Sequence, residues 1–139
     1  LLRPGKTDNA IEVVERENAV IDLEHEKHQY VDFTNENYIV ASMAQNTFMK
    51  ESEDFAALIQ KHFKKTLKNK TKDRGVKQAG FHVLVGATMP NVLIEVGFLS
   101  NKQEAYNLSK SYYRRQLAES IFQAIVDFKI KYEKPILKQ

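Results

Sequence analysis

Apolar residues recur every three to four positions through the first half of the chain, a spacing that predicts amphipathic helices. In residues 7–24, Ile11, Val14 and Ile21, with Val13 and Val20 beside them, form one side of a helix. Glu12, Glu15, Arg16 and Glu17 form the wet side, and Thr7 or Asp8 can cap the start. Residues 25–35 are polar, with Tyr30, Val31 and Phe33 alternating weakly, and read as a loop. Asn35 can cap a long helix over residues 36–68, with a break expected near Glu51 and Ser52. Its stripes are Ile39, Met43 and Thr47, then Ala56, Ile59, Phe63 and Leu67, flanked by Phe55 and Leu58. Residues 68–72 read as a solvated basic turn.

The pattern then changes. Residues 80–85 read Gly-Phe-His-Val-Leu-Val and residues 91–95 read Asn-Val-Leu-Ile-Glu, with Pro90 between them. Such runs suggest strands buried on both faces, as in a sheet covered by helices. Ser100 or Asn101 can cap a short helix over 102–108, and Ser109 or Ser111 a last one reaching about Tyr132, ended by Pro135. The last stripe is Leu117, Ile121, Ile125, Phe128 and Tyr132, expected to pack across the two strands. The fold class expected is therefore α/β, a helix-flanked mixed sheet. Two strands are too few for a stable sheet, so residues 1–139 are expected to be one part of a single domain. Exposed sheet edges would then favour self-association.

Composition narrows the class. The 139 residues are 42% hydrophobic and 28% charged, which excludes a disordered tail and fits one globular unit. No Cys is present, so disulfide scaffolds, thiol catalysis and Cys-based zinc sites are excluded. The net charge of +3 is too small to signal a nucleic-acid partner, and few aromatics lie in sequence near the lysines of residues 61–77. Apolar runs are far shorter than the ~20 residues of a membrane helix.

Glu95 is the leading chemical candidate. It closes an apolar run just before Gly97, and carboxylates at the carboxyl ends of strands commonly face a ligand crevice. There it can act as a general base. The plainer reading is a salt-bridged or exposed glutamate. Arg74, in Asp73-Arg74-Gly75, can grip a carboxylate or phosphate with its fork, or hold a turn. On a helix His25 and His28, at i and i+3, would share a face and Glu24 could add an oxygen ligand, but no strong third ligand is near, and they read as solvent-exposed. His62 and His82 read as structural. No Gly-rich phosphate loop or nucleophile elbow is present.

Two stretches carry a family resemblance. They are Asp-Arg-Gly-Val-Lys-Gln-Ala at 73–79, with Phe-His-Val-Leu at 81–84, and Met-Pro-Asn-Val-Leu-Ile-Glu-Val-Gly-Phe-Leu-Ser-Asn at 89–101. They resemble the C-terminal part of zinc-dependent N-acetylmuramoyl-L-alanine amidases. Residues 16–24, Tyr38-Ile39 and Gln45-Asn46 are similar to a Bacteroidetes branch of that family.

The resemblance implies a sheet of about six strands and hydrolysis of the amide between N-acetylmuramic acid and L-alanine of the stem peptide. It implies Glu95 as the catalytic carboxylate, peptidoglycan as the partner, and a periplasmic or cell-envelope location. Arg74 and Asn101 are the candidate substrate-binding residues. The family's zinc cofactor is held by two His and one Glu in Asp-Pro-Gly-His-Gly-like and Ser-Ile-His-x-Asn-Ala-like surroundings. Neither His motif occurs here, so the zinc ligands are expected upstream of Leu1, the chain holds no metal ligand of its own, and the fragment alone is expected to be inactive. The rival class is a non-catalytic envelope-binding or scaffolding module.

Overall fold

The computed structural model describes residue 19 and residues 47–79, 81–84 and 87–133. The helix expected over 7–24, the loop over 25–35, the Asn35 cap and the Ile39–Met43 stripe lie outside the described residues, as do His25 and His28. The described elements are α1 (Met49–Leu67), a 3-10 turn (Lys68–Lys70), a second 3-10 turn (His82–Leu84), α2 (Lys102–Ser109) and α3 (Ser111–Glu133). No helix among them is long and apolar enough to cross a membrane.

The expected α/β sheet is not there among the described residues. Residues 82–84 form a 3-10 turn and residues 91–98 have no regular structure, so neither apolar run is a strand. A strand exists through the ladder that pairs its N–H and C=O groups with a neighbour. Apolar sequence supplies a face for burial but no such partner, and Leu93 and Val96 are exposed.

The chain divides into two compact units, residues 1–53 with 77–93, and residues 54–76 with 94–139. In the first unit, Ser52 is 3% exposed because both its polar groups are used. Its hydroxyl donates to the Phe48 carbonyl at 2.7 Å and accepts the Asn91 N–H at 3.0 Å. Helix α1 continues through Glu51 and Ser52, where a break was expected. Ala79, Phe81 and Leu84 form a small apolar cluster in the same unit.

The second unit holds most of α1 and all of α2 and α3. Ile59 and Leu67 of the expected α1 stripe are buried, with Phe63 half-buried. Leu67 packs with Tyr113 and Leu117, and Phe63 and Leu108 close around them. Glu51 in the first turn and Lys64 and Lys65 in the last complement the helix dipole. At the far end, the Phe55 and Phe128 rings lie 4.8 Å apart, and Phe128 and Tyr132 4.5 Å apart. Asp54 Oδ2 accepts from the Tyr132 hydroxyl and the Lys131 ammonium, each at 2.5 Å. By accepting hydrogen bonds from their protonated forms, that carboxylate raises both pKa values above their ordinary range.

Helix α3 ends where its pattern predicted, but it buries a different face. Tyr113, Leu117, Ser120 and Ala124 are inside, whereas Ile125 is 46% exposed and Ile121 only half-buried. Ser120 tolerates burial because its hydroxyl donates to the Gln116 carbonyl at 2.8 Å.

Candidate active site around residues 95–104

The site lies wholly in the second unit. Residues 94–98 run without regular secondary structure, and Glu95 on them is exposed. The run ends in a turn, closed by the Asn101 N–H donating to the Phe98 carbonyl at 3.1 Å. Gly97 enters this turn with φ +146°, a conformation that L side chains rarely adopt. Asn101 then caps α2. Its side-chain oxygen accepts from the N–H groups of Gln103 at 3.0 Å and Glu104 at 3.1 Å, as a helix start requires.

Glu104, in the first turn of α2, is the anchor of the site. It is 7% exposed. Its Oε1 accepts from Arg74 Nη2 at 2.6 Å and its Oε2 from the Phe98 N–H at 2.7 Å. The Arg74 guanidinium also lies 4.7 Å from the centre of the Phe98 ring. Arg74 beside the carboxylate, then the Phe98 N–H, hold its pKa below the usual carboxylate range. Arg74 is itself set by the preceding turn. Asp73 Oδ1 accepts the Gly75 N–H at 2.8 Å and the Gln60 amide, which lower the Asp73 pKa in that order, and Gly75 has φ +72°.

Of the candidate residues, the structure thus brings Arg74 and Asn101 to the same turn: Asn101 closes it onto Phe98, and Arg74 meets the Phe98 ring and the Glu104 carboxylate that accepts the Phe98 N–H. Both carry structural bonds: Asn101 caps a helix, and Arg74 spends part of its fork on Glu104. The Arg74 side chain is still 35% exposed. Glu95 stands three residues before Phe98, on the segment that Glu104 fixes at its downstream end.

His62 lies elsewhere, with Nε2 2.8 Å from Asp127 Oδ2, and ties α1 to α3. Glu104 was not among the sequence candidates. A glutamate three residues after a capping asparagine normally signals only a helix start, and its partner is 30 residues away in sequence.

Among the described residues, no three His, Cys, Asp or Glu side chains gather closely enough to hold a metal ion. These residues do not fit the zinc ion that the resemblance implies.

The family model of N-acetylmuramoyl-L-alanine amidases matches residues 12–127, and the chain belongs to that family. An uncharacterised cell wall amidase of Bacillus anthracis is 36% identical over 91 residues, covering 66% of this chain and 17% of that protein. A germination-specific N-acetylmuramoyl-L-alanine amidase of Bacillus subtilis is 37% identical over 78 residues, covering 56% and 32%. The N-acetylmuramoyl-L-alanine amidase AmiC of Escherichia coli is 32% identical over 97 residues, covering 70% and 22%. The chain thus spans less than a third of the length of these relatives. No solved structure matches it significantly.

Proposed function

We propose that this chain is part of the catalytic domain of a peptidoglycan hydrolase that cleaves the amide between N-acetylmuramic acid and L-alanine of the stem peptide. Glu95 is its general base. It takes a proton from the attacking water and returns it to the alanine nitrogen as the C–N bond breaks, leaving a lactyl carboxylate and a free amine. The observation that carries the reading is the placement of Glu95: an exposed carboxylate, inside the family-matched segment, on a run whose end is pinned by Glu104. The relatives, themselves named as cell wall or N-acetylmuramoyl-L-alanine amidases, support the substrate class, and cell-envelope action follows from it. None of the described residues serves as a zinc ligand in this proposal. Arg74 and Asn101 bound the site, and the exposed part of the Arg74 guanidinium is available to a substrate carboxylate.

The test is Glu95→Gln in the complete protein. Loss of a positioned base should lower peptidoglycan hydrolysis by about 10²–10⁴-fold. Bound metal, measured on the same preparation, should stay unchanged. Near-normal turnover would remove Glu95 from the mechanism, and metal lost together with activity would make it a ligand.

A further inference from the structure

Positive charge in this chain is segregated, and the fold gathers it beside two exposed tyrosines. Residues 64–72 contain five lysines, at 64, 65, 68, 70 and 72, and no carboxylate. Residues 105–118 contain Lys110, Arg114 and Arg115 and no carboxylate. All eight side chains are exposed. The chain as a whole has 21 basic and 18 acidic residues, so the remainder holds 13 basic against 18 acidic. The near-neutral total conceals a basic surface.

Lys70 joins the two segments. Its carbonyl accepts from Asn107 Nδ2 at 3.0 Å, and its ammonium donates to Gln116 Oε1 at 3.0 Å. The same ammonium lies 5.3 Å from the centre of the Tyr112 ring, and Lys110 Nζ lies 4.3 Å from that of Tyr106. Tyr112 is 66% and Tyr106 58% exposed. Two amphipathic rings, each with a cation over it, left open to water, are not explained by packing. The nearest carboxylates in sequence are Asp73, bonded to Gly75 and Gln60, Glu104, bonded to Arg74, and Glu119 beyond Arg115.

We infer that this face, formed by residues 64–72 and the α2–α3 corner, is a docking surface for a carboxylate-bearing glycan strand, separate from the segment that carries Glu95. The rings offer apolar faces to pyranose C–H groups, and the surrounding cations meet the carboxylates of the stem peptides that the strand carries. Eight charges spread over two segments suit a polymer better than a single small anion. The choice of glycan over other polyanions rests on the proposed function.

The test is co-sedimentation of the protein with purified peptidoglycan, with the same material after its carboxylates are amidated, and with a single-stranded oligonucleotide as competitor. One variant combines Lys68→Gln, Lys110→Gln and Arg115→Gln, and a second carries Tyr112→Ala. Lys70 and Arg114 are kept because their side chains bond to neighbouring groups. Binding should weaken about tenfold in the triple variant, fall between about 50 and 300 mM salt, and fall on amidation, with melting temperature unchanged. Tyr112→Ala should weaken it as well.

Equal pelleting of wild type and both variants would overturn the inference. So would indifference to amidation, or tighter binding of the oligonucleotide than of peptidoglycan. Hydrolysis of a short soluble N-acetylmuramoyl peptide by the complete protein is measured in parallel and should be the same in wild type and triple variant. If the wild type cleaves none, the functional reading fails while pelleting still decides the surface.

Discussion

The carboxylate of Glu104 sits where a side chain at Gly97 would have to go. A Cβ built on Gly97 would approach Glu104 Oε2 to 3.1 Å and the Leu108 Cδ1 to 3.5 Å, on a backbone already at φ +146°. Gly97→Ala therefore meets strain and crowding at once. It should destabilise the fold by about 1–3 kcal/mol, read as a shift in the denaturant midpoint. An unchanged midpoint would show that the turn has another conformation open to it.

Glu104 should leave a signature in acid. Its pKa is depressed in the folded state, first by Arg74 and then by the Phe98 N–H. The stability it contributes is therefore present above its unfolded value, near 4.5, and is lost as pH falls through the lower folded value. Glu104→Gln should flatten the stability profile below about pH 4.5 relative to wild type. Glu104→Ala should cost about 1.5–3 kcal/mol at neutral pH, because it leaves Arg74 and the Phe98 N–H without their acceptor. Parallel acid profiles for wild type and Gln variant would contradict the assignment.

The buried face of α3 can be checked by a contrast of two alanine variants. Leu117→Ala should cost about 2–5 kcal/mol, since Leu117 is 5% exposed and packs with Leu67 and Tyr113. Ile125→Ala should stay within about 1 kcal/mol, because that side chain is nearly half in water. Reversed magnitudes in chemical denaturation would restore the face centred on Ile121 and Ile125.

Lys68 takes φ +50° just after α1, a left-handed position without the glycine that usually stands there. Lys68→Gly should raise stability by about 0.5–1 kcal/mol, as relief of the backbone penalty exceeds the added entropy of the unfolded chain. A lower melting temperature for this variant would mean that the Lys68 side chain contributes more than its backbone costs.

Helices α1, α2 and α3 were legible because their signals are local. Ala56, Ile59, Phe63 and Leu67 repeat at helical spacing, and Asn101 stands one residue before α2. The strands were misread because Val92, Leu93 and Ile94 specify apolar surface and not a ladder partner. The α3 face was misread for a related reason. Large side chains dominate an apolar stripe, whereas Ser120 and Ala124 go inside by being small and satisfied. Glu95 and Arg74 could be singled out from their neighbours in sequence. Glu104 could not, since its role comes from a partner 30 residues away.

The ties between α1 and α3 join residues far apart in time as well as in sequence. Asp54 meets Tyr132 across 78 positions and His62 meets Asp127 across 65. At roughly 5–20 residues per second, a ribosome needs about 4–16 s to make the stretch from Asp54 to Tyr132. For most of that interval Phe55 lacks the Phe128 ring, and Leu67 waits for Tyr113 and Leu117, all of which α3 brings. Until then the apolar face of α1 is open to water and to any other exposed apolar surface. A premature stop within α3 would make that passing exposure permanent, and proteolysis its expected fate.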